Sequence, residues 1–319
     1  MYSDIPATIV QDCFRRWGGI ARYVLRYAQL DDQQELLEKA IAIVDINGLV
    51  DACGKLDADD AQVSHRLLHY RVSKCFASDY FVFASQYVQQ EVYKRLYLKD
   101  KQKLLDFISA SDGIGALAVL RGHLFEGHVH SVLPRGGTFR IRHLVDDGEV
   151  HDDDEYPTED DWDEGRGNDY TMDADDDVAM EDSTAVVRDL DDGASILLSE
   201  RPTVVFNNDE EVIAADTAIY LRPAAKNYKS VDAIIKPDVL FQVTGAHKHP
   251  CKQAGLHDVL NLLGNPVVPR LYFVLPPDRF TGFRYQRYLN SDRKRMMMPT
   301  YVNVRKIQQF AMEVKLVSE

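Results

Sequence analysis

The first 133 residues repeat apolar side chains at helical spacing. The apolar stripes predict helices at 5–16, 20–25, 31–44, 80–97, 101–108 and 116–133, and a helix or partly extended segment at 61–76. Trp17-Gly18-Gly19 separates the first two helices, because glycine ends a helix at little cost. The N-terminal region is therefore predicted to be mostly helical.

The pattern changes from helical spacing to alternation after the turn Pro134-Arg135-Gly136-Gly137. The elements predicted from there are strands at 138–144, 195–198, 203–206, 218–221, 233–235 and 239–244, a helix at 253–263, a strand at 270–275, a helix at 278–289 and a strand at 306–316. The predicted fold class is α/β (α+β), in which a helical N-terminal region precedes a mixed sheet flanked by helices.

Length and composition narrow the class of protein. The 319 residues suffice for two domains of ordinary size. Apolar runs stay well short of the roughly 20 residues of a membrane span, and residues 1–10 lack the pattern of a secretory signal. We therefore expect no membrane association and a cytosolic or nuclear character. The four cysteines form no CxxC pair, which indicates free thiols in a reducing compartment.

Charge is distributed unevenly along the chain. Residues 146–182 hold 19 Asp or Glu and one Arg, whereas residues 220–306 hold 15 Lys or Arg and 5 Asp or Glu. The acidic tract is predicted to be a disordered insertion between strands. Its carboxylates could compete with DNA for a basic face, or the tract could be a tolerated insertion. The basic stretch is either a surface for nucleic-acid phosphates or an ordinary solvated surface.

Polar residues on two neighbouring strands suggest a place for chemistry. Gln242 and Thr244 share one face of their strand, and Asp232 could reach that face from the preceding strand. This is the layout of a PD-(D/E)xK nuclease site, where oxygen ligands hold Mg²⁺ and a Lys acts on water. Spacing alone indicates a satisfied structural pair at least as strongly.

Four stretches together resemble the C-terminal region of Crinkler effectors and the related retrotransposon-hot-spot proteins. They are residues 14–25 (FRRWGGIARYVL), 121–126 (RGHLFE), 240–244 (LFQVT) with His249 following, and 271–276 (LYFVLP). Their order and separations carry the resemblance, which covers nearly the whole chain apart from the acidic tract.

The resemblance implies an NTPase module followed by a restriction-endonuclease-like domain. Residues 1–110 correspond to a helical remnant or lid of the NTPase, and residues 111–319 to the endonuclease-like domain with its insert at 146–182. The chain contains no GxxxxGK[ST] loop, so no ATP hydrolysis is expected, and it lacks the family's N-terminal header. The family further implies secretion into a host cell, with the host nucleus as a destination.

Residue by residue, the resemblance gives a catalytic set and a binding set. The catalytic set is Glu126, Asp232, Gln242, Thr244 and Lys248, with Asp232 and Gln242 as ligands of Mg²⁺. The nucleic-acid-binding set is Arg222, Lys226, Lys229, His247, His249 and Lys252.

The strand motif departs from the E-x-K of active nucleases. Gln242 is a weaker ligand for a hard cation than Glu, and Thr244 lacks the charge of Lys; His247, Lys248 and His249 are the candidates to supply that charge. The expected function is therefore action on nucleic acid, by DNA binding with or without Mg²⁺-dependent phosphodiester cleavage. The alternative is a catalytically inactive module that binds a host protein or DNA.

Two further groups have alternative interpretations. The later basic residues, interleaved with aromatic residues, suit either phosphate binding or a solvated face; they are Arg284, Arg287, Arg293, Lys294 and Arg295. His247, His249 and His257 lack the fourth ligand and the spacing of a structural zinc site, so zinc is not expected.

Overall fold

A computed structural model describes residues 4–54, 65–72, 79–110, 116–146, 194–225, 228–292 and 294–316. Apart from Asp146, the predicted acidic loop lies outside these residues. The N-terminal region is mostly helical, as predicted. Its helices are α1 (Ala7–Trp17), a π-helix (Arg22–Arg26), α2 (Asp31–Ile43), α3 (Ile46–Gly54), α4 (Gln86–Ala110) and α5 (Ala116–Val132).

A two-stranded antiparallel sheet corrects the helix prediction between residues 61 and 97. Its strands are β1 (Leu68–Val72) and β2 (Asp79–Phe83). Residues 79–83 read DYFVF, a run of aromatic and β-branched side chains that favours a strand. The helix α4 begins only after Ser85, whose hydroxyl accepts a hydrogen bond from the Val88 N–H at 3.1 Å. The helices predicted at 80–97 and 101–108 join in α4, with a break at Asp100.

The side chain of Gln34 hydrogen-bonds to the π-helix and to the residue that follows it. Gln34 donates hydrogen bonds to the carbonyls of Tyr23 and Tyr27 at 3.0 and 2.9 Å, and it accepts one from the Trp17 indole at 2.6 Å. Gly18 follows Trp17 with φ of 62°, and a Cβ there would lie 1.9 Å from the Ala84 carbonyl oxygen. Residues of the FRRWGGIARYVL stretch therefore build this packing.

The main sheet has eight strands within the described residues. They are β3 (Gly137–Leu144), β4 (Ser195–Leu198), β5 (Thr203–Phe206), β6 (Tyr220–Pro223), β7 (Ala233–Ile235), β8 (Val239–Val243), β9 (Arg270–Leu275) and β10 (Gln308–Glu313). Their order is β4-β3-β10-β9-β8-β7-β6-β5. The pairs β8–β9, β9–β10 and β5–β6 are parallel, and the others are antiparallel. This mixed sheet with flanking helices confirms the α/β class.

Alternation along the central strands separates two apolar layers. Ala233, Phe241 and Tyr272 join the layer formed with the N-terminal helices, whereas Leu240 and Phe273 join the opposite layer. Three shorter helices pack around the sheet, namely α6 (Asp209–Ala214), which was not predicted, α7 (Gln253–Leu262) and α8 (Pro277–Phe280). The division of the chain at residue 110 stays a prediction.

The helix predicted at 278–289 is wrong beyond Phe280. Hydrogen bonds to β10 fix the segment instead: the Gln286 N–H donates to Gln309 Oε1 at 2.9 Å, and Gln309 Nε2 donates to the Gln286 carbonyl at 2.8 Å. Phe283, Tyr288 and Leu289 are buried in this irregular segment. These long-range bonds replace the local ones of a helix.

The two outer strands of the sheet are neighbours in sequence. β4 and β5 lie at opposite ends of the strand order, yet only residues 199–202 connect them. Five residue steps span at most about 18 Å. The sheet must therefore curl strongly, and α5 lies in the apolar layer on its inner side.

Candidate active site

Asp232 lies where β7 stops pairing with β8. Its backbone N–H still donates to the Phe241 carbonyl at 2.8 Å. Beyond that point the Asp232 carboxylate, and not the backbone, bonds to β8. Its Oδ2 atom accepts hydrogen bonds from the Val243 N–H and from Gln242 Nε2, each at 2.7 Å. Burial, with the negative charge of Glu126, raises the pKa of Asp232 from 3.8 to about 8.

Gln242 lies on β8, and Thr244 directly follows the last residue of that strand. Gln242 is 6% exposed, and its Oε1 atom is buried without a hydrogen-bond partner among the described residues. The Thr244 hydroxyl accepts the Ala246 N–H at 3.1 Å and so belongs to the turn after the strand.

Glu126 reaches the same place from α5. Its Oε2 atom accepts a hydrogen bond from Gln89 Nε2 at 2.8 Å, and its Oε1 atom lies 3.6 Å from Arg222 Nη2. Burial alone raises the pKa of Glu126, but the neighbouring imidazoles of His123 and His130 and the charge of Arg222 outweigh it. They hold the pKa well below its usual range, so the carboxylate is ionised at neutral pH.

Arg222 belongs to this site rather than to an exposed binding face. It projects from β6, is 6% exposed, and its charge lowers the pKa of both Glu126 and Asp232. Two residues earlier on the same strand, the Tyr220 hydroxyl lies 2.8 Å from His130 Nδ1. The structure thus brings together Glu126, Asp232, Gln242 and Arg222, and it adds His130, which was not singled out from the sequence. His130 stands one helical turn after Glu126, which is the signal that could have found it.

The loop after β8 is engaged elsewhere. His247 Nε2 accepts a hydrogen bond from Arg279 Nη1 at 2.8 Å. The His249 N–H donates to Gln286 Oε1 at 2.6 Å, and burial lowers the pKa of its imidazole to about 4. Lys248 is half-buried between them.

The other residues of the predicted binding set are scattered. Lys229 pairs with Asp209, Lys252 precedes α7 with an exposed side chain, and Lys226 lies outside the described residues. The third histidine, His257, stacks on Tyr301 with ring centroids 4.0 Å apart, away from the contacts of His247 and His249.

The residues of the later basic group also differ in how far they are buried. Arg287 is 7% exposed and pairs with Asp146 at 3.1 Å, at the start of the acidic tract. Arg284 and Lys294 are exposed, and Arg293 lies outside the described residues. Phosphate binding by this group stays a prediction.

The RGHLFE stretch connects this site to the rest of the fold. Arg121 is 5% exposed; its Nε atom donates to the Ile108 carbonyl at 2.7 Å, and its Nη2 atom donates to both carboxylate oxygens of Asp278 at 2.8 and 2.9 Å. Arg121 therefore joins α4, α5 and α8, while Glu126 of the same stretch enters the site.

These residues define an α/β protein in which a buried arginine lies beside two partly exposed carboxylates, next to strands β6, β7 and β8 of the sheet. Two proteins of Phytophthora infestans are similar to it. Crinkler effector protein 15 is 23% identical over 279 residues, which is 87% of this chain and 39% of the relative. Crinkler effector protein 16 is 24% identical over 286 residues, which is 87% of this chain and 38% of the relative.

The comparisons support a distant Crinkler-like relationship, in agreement with the sequence motifs. The chain spans about two-fifths of the length of the curated relatives it matches. No protein-family model and no solved structure matches it. The link to retrotransposon-hot-spot proteins and the missing header stay predictions.

Two features are absent from the part of the chain that the structure describes. Within the described ranges, no group of three or more His, Cys, Asp or Glu side chains is arranged to hold a metal ion. None of the helices in that part of the chain has the length and apolar character needed to cross a membrane.

Proposed function

We propose that this chain is a module of a Crinkler-like effector that acts on nucleic acid through a restriction-endonuclease-like domain. The observation that supports it most is the position of Asp232, which accepts a hydrogen bond from Gln242 and lies close enough to Glu126 for the charge of Glu126 to raise its pKa. With β3, β4, β5 and α6 inserted after α5, the elements that carry them follow the order of a PD-(D/E)xK domain: α5, the antiparallel strands β6, β7 and β8, then α7 and the parallel strand β9. The effector role rests on the names of the two relatives.

The donor atoms of the cluster fit a magnesium ion. Both hydrogen bonds to Asp232 fall on Oδ2, so Oδ1 is available, and Gln242 Oε1 is a buried oxygen without a described partner. Mg²⁺ takes oxygen ligands and is often held by only one or two carboxylates together with water. When bound, the ion would stabilise charge on a phosphate and lower the pKa of the attacking water.

The chain's own groups prepare the site for such a ligand. Glu126 is ionised, and Gln89 holds its carboxylate in place. Asp232, with its raised pKa, must release a proton before it serves as an anionic ligand. Affinity for a divalent cation should therefore increase as the pH rises towards 8.

A second candidate is an inactive module that binds DNA or a host protein. It is favoured by the hydrogen bond from Gln242 to Asp232, which ties the two proposed metal ligands to each other, and by the use of the Thr244 hydroxyl in a turn.

Cleavage of supercoiled plasmid with Mg²⁺ or Mn²⁺ distinguishes the two candidates. We expect nicking by the wild-type protein, loss of nicking in Asp232→Asn, and retention in Asp238→Asn, which changes a half-buried carboxylate paired with Arg270. Wild-type protein that is folded, binds DNA in EDTA and never nicks it would establish the inactive module.

A further inference from the structure

The proposed nuclease site lacks the lysine that usually follows its strand ligand. Thr244 occupies that position, and its hydroxyl accepts the Ala246 N–H. His247, which could have supplied a charge from the loop, accepts a hydrogen bond from Arg279. Another element of the fold, strand β6, also brings a cation to the site, namely Arg222.

Arg222 is positioned for this role by two parallel contacts between β6 and α5. Tyr220 and Arg222 are two residues apart and share one face of the strand, whereas Glu126 and His130 are one turn apart on the helix. Tyr220 meets His130 at 2.8 Å, and Arg222 meets Glu126 at 3.6 Å. The first contact fixes the register that places the guanidinium beside Glu126.

Two of the three nitrogen atoms of this guanidinium have no hydrogen-bond partner among the described residues. Its Nε and Nη2 atoms are buried and make no hydrogen bond within the described ranges, since the 3.6 Å contact to Glu126 is too long for one. A buried cation with unused donors is costly, and a guanidinium presents donors in a fork that matches two phosphate oxygens. Glu126 and Asp232 beside it are only partly buried, so the cluster is open to solvent on their side.

We infer that Arg222 is the group that binds the phosphate in this site, in place of the lysine of the nuclease motif. Glu126 is the carboxylate that pairs with this guanidinium at 3.6 Å and that a bound phosphate would replace. This assignment rests on the proposed function, because that function supplies the phosphodiester; binding of the phosphate itself requires no metal.

The test measures DNA binding and metal binding separately. A short fluorescein-labelled DNA duplex is titrated in EDTA at several salt concentrations and followed by anisotropy. We expect Arg222→Met to weaken binding about 5- to 30-fold and to reduce the salt slope by about 1, while Arg222→Lys keeps most of the affinity. Arg135→Met removes the same charge at an exposed position and should leave the affinity near that of the wild type.

Binding of Mn²⁺ alone separates a phosphate-binding arginine from a structural one. Loss of the Arg222 charge should tighten Mn²⁺ binding about 3- to 10-fold, because a positive charge beside the ligands is removed. A structural role predicts that both DNA and Mn²⁺ bind more weakly. If Arg222→Met does not fold, Glu126→Gln decides: removing the competing carboxylate should tighten DNA binding in EDTA, and unchanged or weaker binding overturns the assignment.

The two proposals can fail independently. A wild-type protein that neither binds Mn²⁺ nor nicks plasmid, but loses DNA affinity in Arg222→Met, overturns the metal site and keeps the arginine. A protein that nicks plasmid, with DNA affinity unchanged in Arg222→Met, keeps the nuclease and overturns the arginine.

Discussion

Two buried polar clusters in this chain differ in how completely their hydrogen bonds are made. Around Gln34, the amide donates to two carbonyls of the π-helix and accepts from the Trp17 indole, so donors and acceptors are matched. Around Arg222, buried nitrogen and oxygen atoms of Arg222, His130 and Gln242 make no hydrogen bond within the described residues. Burying a polar group without a partner is costly. The fold alone therefore explains the first cluster, whereas the second has donors and acceptors that the phosphate and metal ion we propose would satisfy.

We expect the largest effect on the free energy of unfolding in the cluster around Gln34. Trp17 is fully buried and its ring stacks on Tyr23 with centroids 3.8 Å apart. We expect Trp17→Ala to lower the free energy of unfolding by about 3–5 kcal/mol, measured by urea denaturation. Phe14→Ala, at a position 59% exposed, should change it by less than about 0.5 kcal/mol. DNA affinity lost by folded Trp17→Ala protein would contradict the division between the clusters.

A smaller loss of stability is expected when Glu126 is substituted. Glu126→Gln keeps the chance of a hydrogen bond with Gln89 but leaves the charge of Arg222 buried beside a neutral group. The free energy of unfolding should fall by about 2–3 kcal/mol, less than for a fully buried pair, because Glu126 is 21% exposed. Adding Arg222→Met should cost less than the sum of the single changes, and strict additivity would show that the two residues do not interact.

The pH dependence of stability tests Asp232. Its pKa in the folded state is raised above the unfolded value, so its contribution is complete below about pH 4 and is lost as the pH rises through about 8. In Asp232→Asn this pH-dependent loss of stability should be absent, because asparagine does not titrate. Between pH 7 and 9, in EDTA, the variant should lose about 1–2 kcal/mol less stability than the wild type. Parallel stability curves for the two proteins would show that Asp232 is not perturbed.

The smallest effect is expected at Thr244. Thr244→Val removes the hydroxyl that accepts the Ala246 N–H, and the free energy of unfolding should fall by about 1 kcal/mol. Thr244→Ser keeps the hydroxyl and serves as the control. A clear loss of DNA binding in Thr244→Val, with stability matched to the wild type, would assign Thr244 to the site instead of the turn.

The sequence predicted the strands near the site well, because their apolar runs are short and bounded by turn residues. The strands at 233–235 and 270–275 and the helix at 253–263 lie where alternation and Gly264 placed them, with the helix end one residue earlier. The failures arose where distant contacts decide the structure. The segment after Phe280 bonds to Gln309 instead of to itself, and no local pattern contains that partner.

Site prediction was limited in the same way. Asp232 and Gln242 could be paired by alternation on adjacent strands. The place of Arg222 depends on how β6 faces α5, a contact between residues 96 positions apart, so its charge alone suggested a surface role. Alternation from Tyr220 and the apolar surroundings of Arg222 were the available signals for a buried arginine.

Strand β10 gives the sheet an order of assembly. It lies between β9 and β3, so that Gln309 pairs with Leu271 on one side and with Leu144 on the other, yet it follows every other strand of the sheet in the sequence. A ribosome releases residues 137–275 well before residues 308–313. Until then β3 and β9 keep unpaired edges on which chaperones or other chains can act. We expect vectorial synthesis to leave this sheet as two separate halves, joined only when the last of its strands emerges.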